Sequence, residues 1–222
     1  MQNFNRVLIR INFAPKAELM SKKSVFYIAF FSALVAVFYF SLTALIPDFR
    51  KKKTKTLSYV RPFSFKTQDG KVFTEKDVEG KVYVAEFFYT TCRSICPIMN
   101  TYMRNVYNEF KDEKDFLILS HTSDPRTDSV LRLKRYADSM GVSSSHWIFL
   151  TGRKDSLYSM ARISYLIDDP NNNPVDINDD FIHTQLWAVV DKKGNVRKKI
   201  YDGLKPSEVK AMIADIKELL KE

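Results

Sequence analysis

The residues best suited to chemistry are Cys92 and Cys96, the only two cysteines among the 222 residues of the chain. They lie within the stretch FFYTTCRSICPIM, residues 87–99. The β-branched and aromatic residues 81–89 predict a buried strand before them, and residues 97–110 predict an amphipathic helix after them. A helix N-terminus favours the thiolate form of a nearby cysteine. The sequence therefore places a thiol pair at the carboxyl end of a strand, where open α/β sheets bind ligands.

The Cys-x-x-x-Cys spacing leaves several interpretations open. Two thiolates at this spacing can converge on one soft metal ion, or they can form a disulfide reversibly. Exchange enzymes of the thioredoxin type usually have Cys-x-x-Cys, which is one residue shorter. A purely structural disulfide is the third interpretation, but so small a loop removes little entropy from the unfolded chain. We therefore expect Cys92 and Cys96 to be redox-active, metal-binding, or both.

Two cysteines alone make an incomplete metal site, and the chain has three histidines that can add an imidazole. Copper(I) accepts both thiolate and imidazole ligands. His146 directly precedes a predicted strand and is expected at the surface or at a strand edge. His121 follows the apolar run at 116–119, so its position near the end of that strand does not exclude it. His183 follows a polar loop long enough to bring it over the cysteines, which makes it a candidate third ligand.

The elements that must position these residues alternate between strand and helix. A hairpin is predicted around Asp69-Gly70, a dipeptide that is typical of tight turns. Further strands are predicted at 116–119, 147–150, 186–190 and 196–200, and further helices at 127–140, at 154–163 and from Pro206 onward. This alternation predicts an α/β layer sandwich with a mixed central sheet.

An apolar segment precedes this domain. It contains no charged residue and no Pro, Asn or Gln, and as a helix it would be ~34 Å long, enough for a ~30 Å hydrocarbon core. A cleaved signal peptide is the alternative, although the apolar region of such peptides is normally ~7–15 residues. The expected organisation is a basic tail (1–23), a transmembrane helix (24–46), a basic tether (47–59) and a folded domain (60–222).

The net charge of +9 is concentrated around that apolar segment. Residues 1–55 hold ten of the 35 Lys and Arg residues and two of the 26 Asp and Glu residues, so they carry +8 and the rest of the chain carries +1. A nucleic-acid-binding domain is therefore not expected. Five basic residues flank each end of the span, so charge does not set its orientation.

The stretch FYTTCRSICP, residues 88–97, resembles the Cys-x-x-x-Cys-Pro motif of the Sco family, which follows an aromatic-rich strand. Residues 69–81 are similar to the entry hairpin of that family, and SDPRTD at 123–128 resembles its Asp-Pro-x-x-Asp-like segment before a helix. His183 follows Cys96 by 87 residues, a separation similar to that of the family histidine. The resemblance covers the predicted domain and includes the single span before it.

The resemblance implies a thioredoxin-like fold, with a mixed β-sheet flanked by helices, that binds copper through Cys92, Cys96 and His183. Copper(I) is the expected ion, with copper(II) as a second oxidation state. Asp124 is expected either in a supporting position beside the ligands or as a helix-capping acid. Ile182 is a departure, because the family often has Asp before its histidine.

Members of the Sco family assist assembly of the binuclear copper centre of cytochrome c oxidase, as copper donors, as reductants of the target's cysteines, or both. The resemblance therefore implies a copper-bearing oxidase subunit or another copper recipient as the partner. It also implies a single-pass protein of the cell (inner) membrane whose C-terminal domain faces the periplasm or the outside. The alternatives are a membrane-tethered thiol–disulfide oxidoreductase that binds copper incidentally, which leaves reductase activity open, and a copper or redox sensor.

Overall fold

The computed structural model describes residues 21–45, 55–169 and 180–222. Helix α1, Lys22–Leu45, forms a unit of its own, and every described residue from Lys55 onward belongs to a second compact unit. The helix has 24 residues, a mean hydropathy of 2.2 in its most apolar stretch, and no buried side chain. Its length and composition allow it to cross a membrane, although a signal sequence has the same properties.

The second unit is built on one mixed sheet, which contains eight strands within the described residues. The spatial order is β1-β8-β7-β4-β5-β6-β2-β3. Strand β5 pairs in parallel with β4 and β6, and every other pairing is antiparallel. The strands are β1 (Thr56–Tyr59), β2 (Ser64–Thr67), β3 (Val72–Thr74), β4 (Val82–Phe88), β5 (Phe116–Thr122), β6 (Trp147–Thr151), β7 (Leu186–Val190) and β8 (Asn195–Asp202). The mixed α/β sheet predicted from the sequence is confirmed.

The described part of the domain contains four α-helices, and apolar residues at helical spacing account for the longer ones. In the first of them, Met99, Met103, Val106 and Phe110 recur on one side and are buried. The helices of the domain are α2 (Cys96–Phe110), α3 (Val130–Met140), α4 (Lys154–Ser159) and α5 (Pro206–Leu219). Helix α4 continues into a π-helical turn, Met160–Ser164.

The two faces of the sheet carry different layers. Helices α2, α3 and α5 cover one face, where the indoles of Trp147 and Trp187 are fully buried. Helix α4, the π turn and the phenylalanines of the β2–β3 hairpin cover the other face. All seven residues of β4 are buried because this strand lies at the centre of the sheet with a layer on each side. The cysteines belong to the first of these layers.

The β2–β3 hairpin is present as predicted, with Gly70 at φ +77° in its turn, a conformation that glycine adopts without strain. The start of the domain differs from the prediction. Strand β1 pairs with β8 where the sequence predicts a tether up to residue 59. The strand has only four residues, and none of them is fully buried. Its apolar pattern is therefore too weak to predict a strand directly after a run of lysines. Most of the polar loop predicted before His183, residues 168–180, lies outside the described residues.

Candidate functional site

The two cysteines lie where β4 ends and α2 begins. Cys92 follows the end of β4 by four residues, and Cys96 is the first residue of α2. Both are buried, with 9% and 3% of their surface exposed, and neither forms a disulfide. The backbone N–H of Cys96 donates a hydrogen bond to the Cys92 sulfur at 3.4 Å, as an N–H of a first helical turn is free to do. The pair therefore combines a sulfur held by the helix start with a second, deeper thiol.

The environment separates the pKa values of the two thiols. Burial acts to raise the pKa of Cys92, but hydrogen bonds from the Cys96 thiol, from the backbone N–H groups of Cys96 and Ser94 and from the Ser94 hydroxyl lower it to about 6. Burial raises the pKa of Cys96 far above its usual range, and its hydrogen bond to Cys92 raises it further. Near neutral pH the pair therefore holds one thiolate at Cys92 and one proton on Cys96, which suits nucleophilic attack and metal binding by Cys92.

A buried carboxyl group lies beneath the thiols. Glu86 is only 1% exposed, and its Oε1 accepts a 2.6 Å hydrogen bond from the Ser120 hydroxyl, which in turn accepts one from the Trp147 indole. Its Oε2 has no hydrogen-bond partner among the described residues. Burial raises the pKa of Glu86 to about 7, against the opposing effects of Ser120 and Trp187. Its charge also contributes to the raised pKa of Cys96, so the carboxyl and the thiol are electrostatically coupled.

The segment between β4 and Cys92 is fastened to a buried aspartate. Asp128 has no exposed surface, and its carboxylate accepts hydrogen bonds from the N–H and the hydroxyl of Thr90. It accepts a third from the hydroxyl of Thr122, the last residue of β5. The guanidinium of Arg132 covers this group, donating to the Thr90 hydroxyl at 2.7 Å. The strand-to-helix segment that carries Cys92 is thus held against the end of the neighbouring strand.

The aromatic ring of Tyr89 lies between the thiols and His183. The Tyr89 backbone carbonyl accepts a hydrogen bond from the Cys92 N–H at 3.1 Å, and partial burial followed by interaction with the Cys92 thiol raises the pKa of Tyr89. The ring meets the exposed His183 imidazole at 6.0 Å between centroids and the Phe181 ring at 5.1 Å. The segment before β7 therefore brings His183 to the same edge of the sheet as Cys92.

The other two histidines lie elsewhere. Residues of β5 alternate between the faces, and His121 points away from the cysteines, with its ring stacked on Phe87 at 5.1 Å. It is fully buried, neither ring nitrogen has a partner among the described residues, and burial lowers its pKa to about 4. His146 precedes β6, which is parallel to β5, so it lies at the opposite edge of the sheet from Cys92. Of the three imidazoles, His183 alone lies at the edge of the thiols and in contact with Tyr89, because His121 points to the opposite face of the sheet.

Asp124 closes the turn before α3. Its carboxylate accepts a 3.3 Å hydrogen bond from the Thr127 N–H, and its backbone carbonyl accepts one from Asp128 at 2.8 Å. Helix α3 begins later than predicted because this turn occupies residues 124–128 and the Ser129 side chain caps the helix. These contacts place Asp124 in the turn before α3, whose cap is Ser129, and a supporting position for Asp124 beside the metal ligands stays a prediction.

In the described part of the chain, no three His, Cys, Asp or Glu side chains are close enough together to hold a metal ion. The structure thus brings Cys92 and Cys96 into contact and brings His183 near them through Tyr89, without placing all three donors at ligand distance. Residues 51–221, most of the chain, match the SCO1/SenC protein family. The chain belongs to the SCO1/SenC family. The family resemblance stated from the sequence is confirmed.

Relatives of this Sco chain share both its sequence and its fold. The SCO1 protein homolog of Bacillus subtilis (strain 168) is 31% identical over 162 residues, which cover 71% of this chain and 81% of that protein. The structure of BsSco, described as a member of the Sco family of cytochrome c oxidase assembly proteins with a disulfide switch, is 30% identical with a TM-score of 0.63. The match covers 76% of this chain and 96% of BsSco.

A Sco structure that contains copper shows the same fold. Bradyrhizobium japonicum ScoI with copper bound is 24% identical to this chain, with a TM-score of 0.57, and the match covers 73% of this chain and all of that one. At this identity the similarity establishes the fold of the domain.

Three residues of this Sco site were not identified from the sequence: Glu86, which was interpreted only as part of a strand, Tyr89 and Asp128. Tyr89 was interpreted only as the end of a strand, and Asp128 only as part of a family-like segment. The alternation of β4 carries no signal for Tyr89, because Phe88 already lies in the layer of the cysteines and continued alternation would turn Tyr89 to the other face. For Asp128 the sequence also carries no signal, since its partner Thr90 is 38 residues away.

Proposed function

We propose that this Sco protein binds one copper(I) ion through Cys92, Cys96 and His183 and delivers it to the copper-bearing subunit of cytochrome c oxidase during assembly. The observation that carries the proposal is the pair of unbonded thiols at the start of α2, where the backbone N–H of Cys96 donates a hydrogen bond to the Cys92 sulfur and hydrogen bonding lowers the pKa of Cys92 to about 6. Two unbonded thiols with an imidazole at the same edge form a soft donor set, which suits copper(I).

The donor atoms suit copper(I), and each of the three residues would have a different part in binding it. Cys92 offers a thiolate without prior loss of a proton near neutral pH, whereas Cys96 must release its proton when metal binds. His183 is exposed and lies on the ring of Tyr89, so the imidazole would complete the set by moving from Tyr89 toward the sulfurs. Three ligands would leave one side open to a thiolate of the recipient, which permits ligand exchange without release of the ion.

The location follows from α1 and from the chemistry. We propose that α1 anchors the protein in the cell (inner) membrane as a single span, with the copper-binding domain on the periplasmic or outer face. Copper delivery to a respiratory oxidase requires the domain on that side.

The test is copper(I) binding by the reduced full chain in detergent micelles, measured by competition with a chromophoric copper(I) chelator. We expect one ion per chain, and we expect His183→Ala to weaken binding by about 100-fold because one of three ligands is lost. His146→Ala is the matched control, since it removes an imidazole from the opposite edge of the sheet, and it should bind as the unaltered protein does. Equal binding by both variants would contradict the proposed ligand set.

A second function is favoured by the separation of the two thiol pKa values. A low-pKa thiolate beside a buried, protonated partner is the arrangement of a thiol–disulfide reductase, in which Cys92 would attack a target disulfide and Cys96 would resolve the mixed disulfide. The products would be a reduced target dithiol and a Cys92–Cys96 disulfide. Reduction of a disulfide peptide by His183→Ala at the unaltered rate, together with unchanged copper binding, would favour this function over copper delivery.

A further inference from the structure

A buried arginine lies in an unusual turn next to the segment that carries His183. Arg162 belongs to the π-helical turn Met160–Ser164, and its side chain is only 10% exposed. Two residues after the turn, the backbone of Leu166 has φ +56°, a left-handed conformation that is rare for residues other than glycine. Widened turns and strained backbone are costly, and they recur where a side chain must be aimed at a functional site.

The guanidinium of Arg162 joins two aspartates that are distant in sequence. Its Nε donates to Asp168 at 2.8 Å, and its two terminal nitrogens meet both carboxylate oxygens of Asp180 at 2.7 and 2.9 Å. Asp180 is 4% exposed, so this fork-like pairing is almost dry. Only Arg has the planar donor geometry for such a contact. Arg162 thus holds the carboxylate of Asp180, three residues before His183, while Lys154 and Tyr158 donate hydrogen bonds to the Asp180 backbone carbonyl.

A tyrosine on α4 fixes the same segment at a second point. The Tyr158 hydroxyl accepts a hydrogen bond from the Ile182 N–H at 3.2 Å and donates one to the Ser123 carbonyl at 2.8 Å. Ser123 directly follows β5, so the segment before His183 is tied to the carboxyl end of the parallel strands. The guanidinium of Arg162 also lies over the Tyr158 ring, at 5.5 Å from its centroid.

We infer that Arg162, acting through Asp180 and together with Tyr158, is a positioning residue for His183. Asp180 and Ile182 are both held, and His183 is the next residue, so its backbone has little freedom while its imidazole remains exposed on Tyr89. The anchor sets how far the imidazole lies from the thiols and thereby sets the strength of copper(I) binding. The part of this inference that concerns copper rests on the proposed function, whereas the position of His183 does not.

Arg162→Met is the informative change, and Arg197→Met is its matched control. Arg197 has the same 10% side-chain exposure and also pairs with a buried aspartate, Asp191. That pair lies at the β7–β8 turn, the opposite edge of the sheet from the thiols. Both variants lose a buried ion pair, so a general loss of stability affects both, but only Arg162→Met releases the segment before His183.

The first measurement needs no copper. The sample is the reduced, metal-free full chain in micelles, whose three histidine rings are observed by NMR. The readout is the nuclear Overhauser effect between the ring protons of His183 and Tyr89. The His183→Ala variant assigns the His183 signals. We expect these contacts in the unaltered protein and in Arg197→Met. In Arg162→Met they should be lost and the ring resonances of His183 should shift. Unchanged contacts and shifts in Arg162→Met would overturn the positioning role.

The second measurement is copper(I) affinity by chelator competition. We expect Arg162→Met to bind about 10–100-fold more weakly, the range typical of residues that orient a metal ligand, and Arg197→Met to bind normally. If His183→Ala leaves the copper(I) affinity unchanged, the proposed ligand set is refuted. The positioning role of Arg162 is then tested by the NMR measurement alone. If His183→Ala weakens binding but Arg162→Met does not, the effect of the anchor on copper is refuted.

A milder variant tests the same inference if Arg162→Met does not fold. Tyr158→Phe keeps the ring and the ion pairs and removes only the hydroxyl that holds the Ile182 N–H. It should change the His183 contacts and weaken copper binding in the same direction, by less than Arg162→Met. A folded Tyr158→Phe protein with unaltered His183 signals and affinity would count against the inference.

Discussion

Replacing Glu86 by Gln tests how much free energy the buried carboxyl beneath the thiols contributes to the pH dependence of folding. Burial raises the pKa of Glu86 from its ordinary value of 4.5 to about 7, while hydrogen bonding from Ser120 opposes the change. The folded protein therefore holds a proton that the unfolded chain releases. The stabilisation from this group is complete below pH 4.5 and is lost as the pH rises to 7. Gln imitates the protonated acid at every pH.

The magnitude follows from the two pKa values. They differ by about 2.5, and each pKa unit corresponds to about 1.4 kcal/mol, so ionisation of buried Glu86 costs the folded state about 3 kcal/mol above pH 7. Glu86→Gln should therefore be more stable than the unaltered protein by up to about 3 kcal/mol at pH 8.5. At pH 4.5 the two proteins should be nearly equal. For a domain of this size, the difference at pH 8.5 corresponds to about 10 °C in Tm.

The assay is urea unfolding of the full chain followed by tryptophan fluorescence. The chain has two tryptophans, Trp147 and Trp187, and both are buried in the domain, so α1 contributes no signal. Glu79→Gln, at an exposed position, is the control and should leave the pH profile unchanged. A Glu86→Gln protein that loses stability equally at pH 4.5 and pH 8.5 would refute the reasoning, because the carboxyl would then act only as a hydrogen-bond partner.

Three further changes test other parts of the structure. Alkylation of Cys92 in the reduced, metal-free protein should rise with a midpoint near pH 6, and a midpoint near 9 would show that the surrounding hydrogen bonds do not stabilise its thiolate. Asp128→Ala leaves three donors without their acceptor, one of them buried and two partly buried, and should cost about 3 kcal/mol in urea unfolding, whereas the exposed Asp112→Ala should cost almost nothing. Gly203→Ala would place a Cβ 2.4 Å from the Trp187 ring and should cost about 2 kcal/mol; unchanged stability would mean that the indole can move.

The central part of the fold could be predicted from the sequence because its signals are local. Strand β4 is a continuous run of apolar and aromatic side chains, and the buried residues of α2 recur at helical spacing directly after the cysteines. The Asp69-Gly70 turn fixes the β2–β3 hairpin in the same local way. Since the thiols lie at the junction of β4 and α2, their place at the sheet edge followed from these elements.

The remaining features depend on contacts between distant residues. The apolar run before His121 was assigned to residues 116–119, but β5 extends to Thr122, and the alternation of that longer strand turns His121 away from the thiols. Asp128 reaches Thr90 only once two strands are paired in parallel. The π turn around Arg162 has no sequence signal, because its extra residue is stabilised by ion pairs to residues outside the turn.

The position of β1 has a mechanical consequence. Among the described residues this strand is the first element of the domain, and it lies at the edge of the sheet, where β8 is its one strand partner and Ser58 also donates a hydrogen bond to the Ser164 carbonyl. A pulling force applied to the N-terminal end of the domain therefore acts first on the few backbone hydrogen bonds between β1 and β8. Strands β8 and β7 separate β1 from β4, which leads to the thiols. Tension applied at this end of the domain would separate β1 from β8 before it reaches β4 and the cysteines.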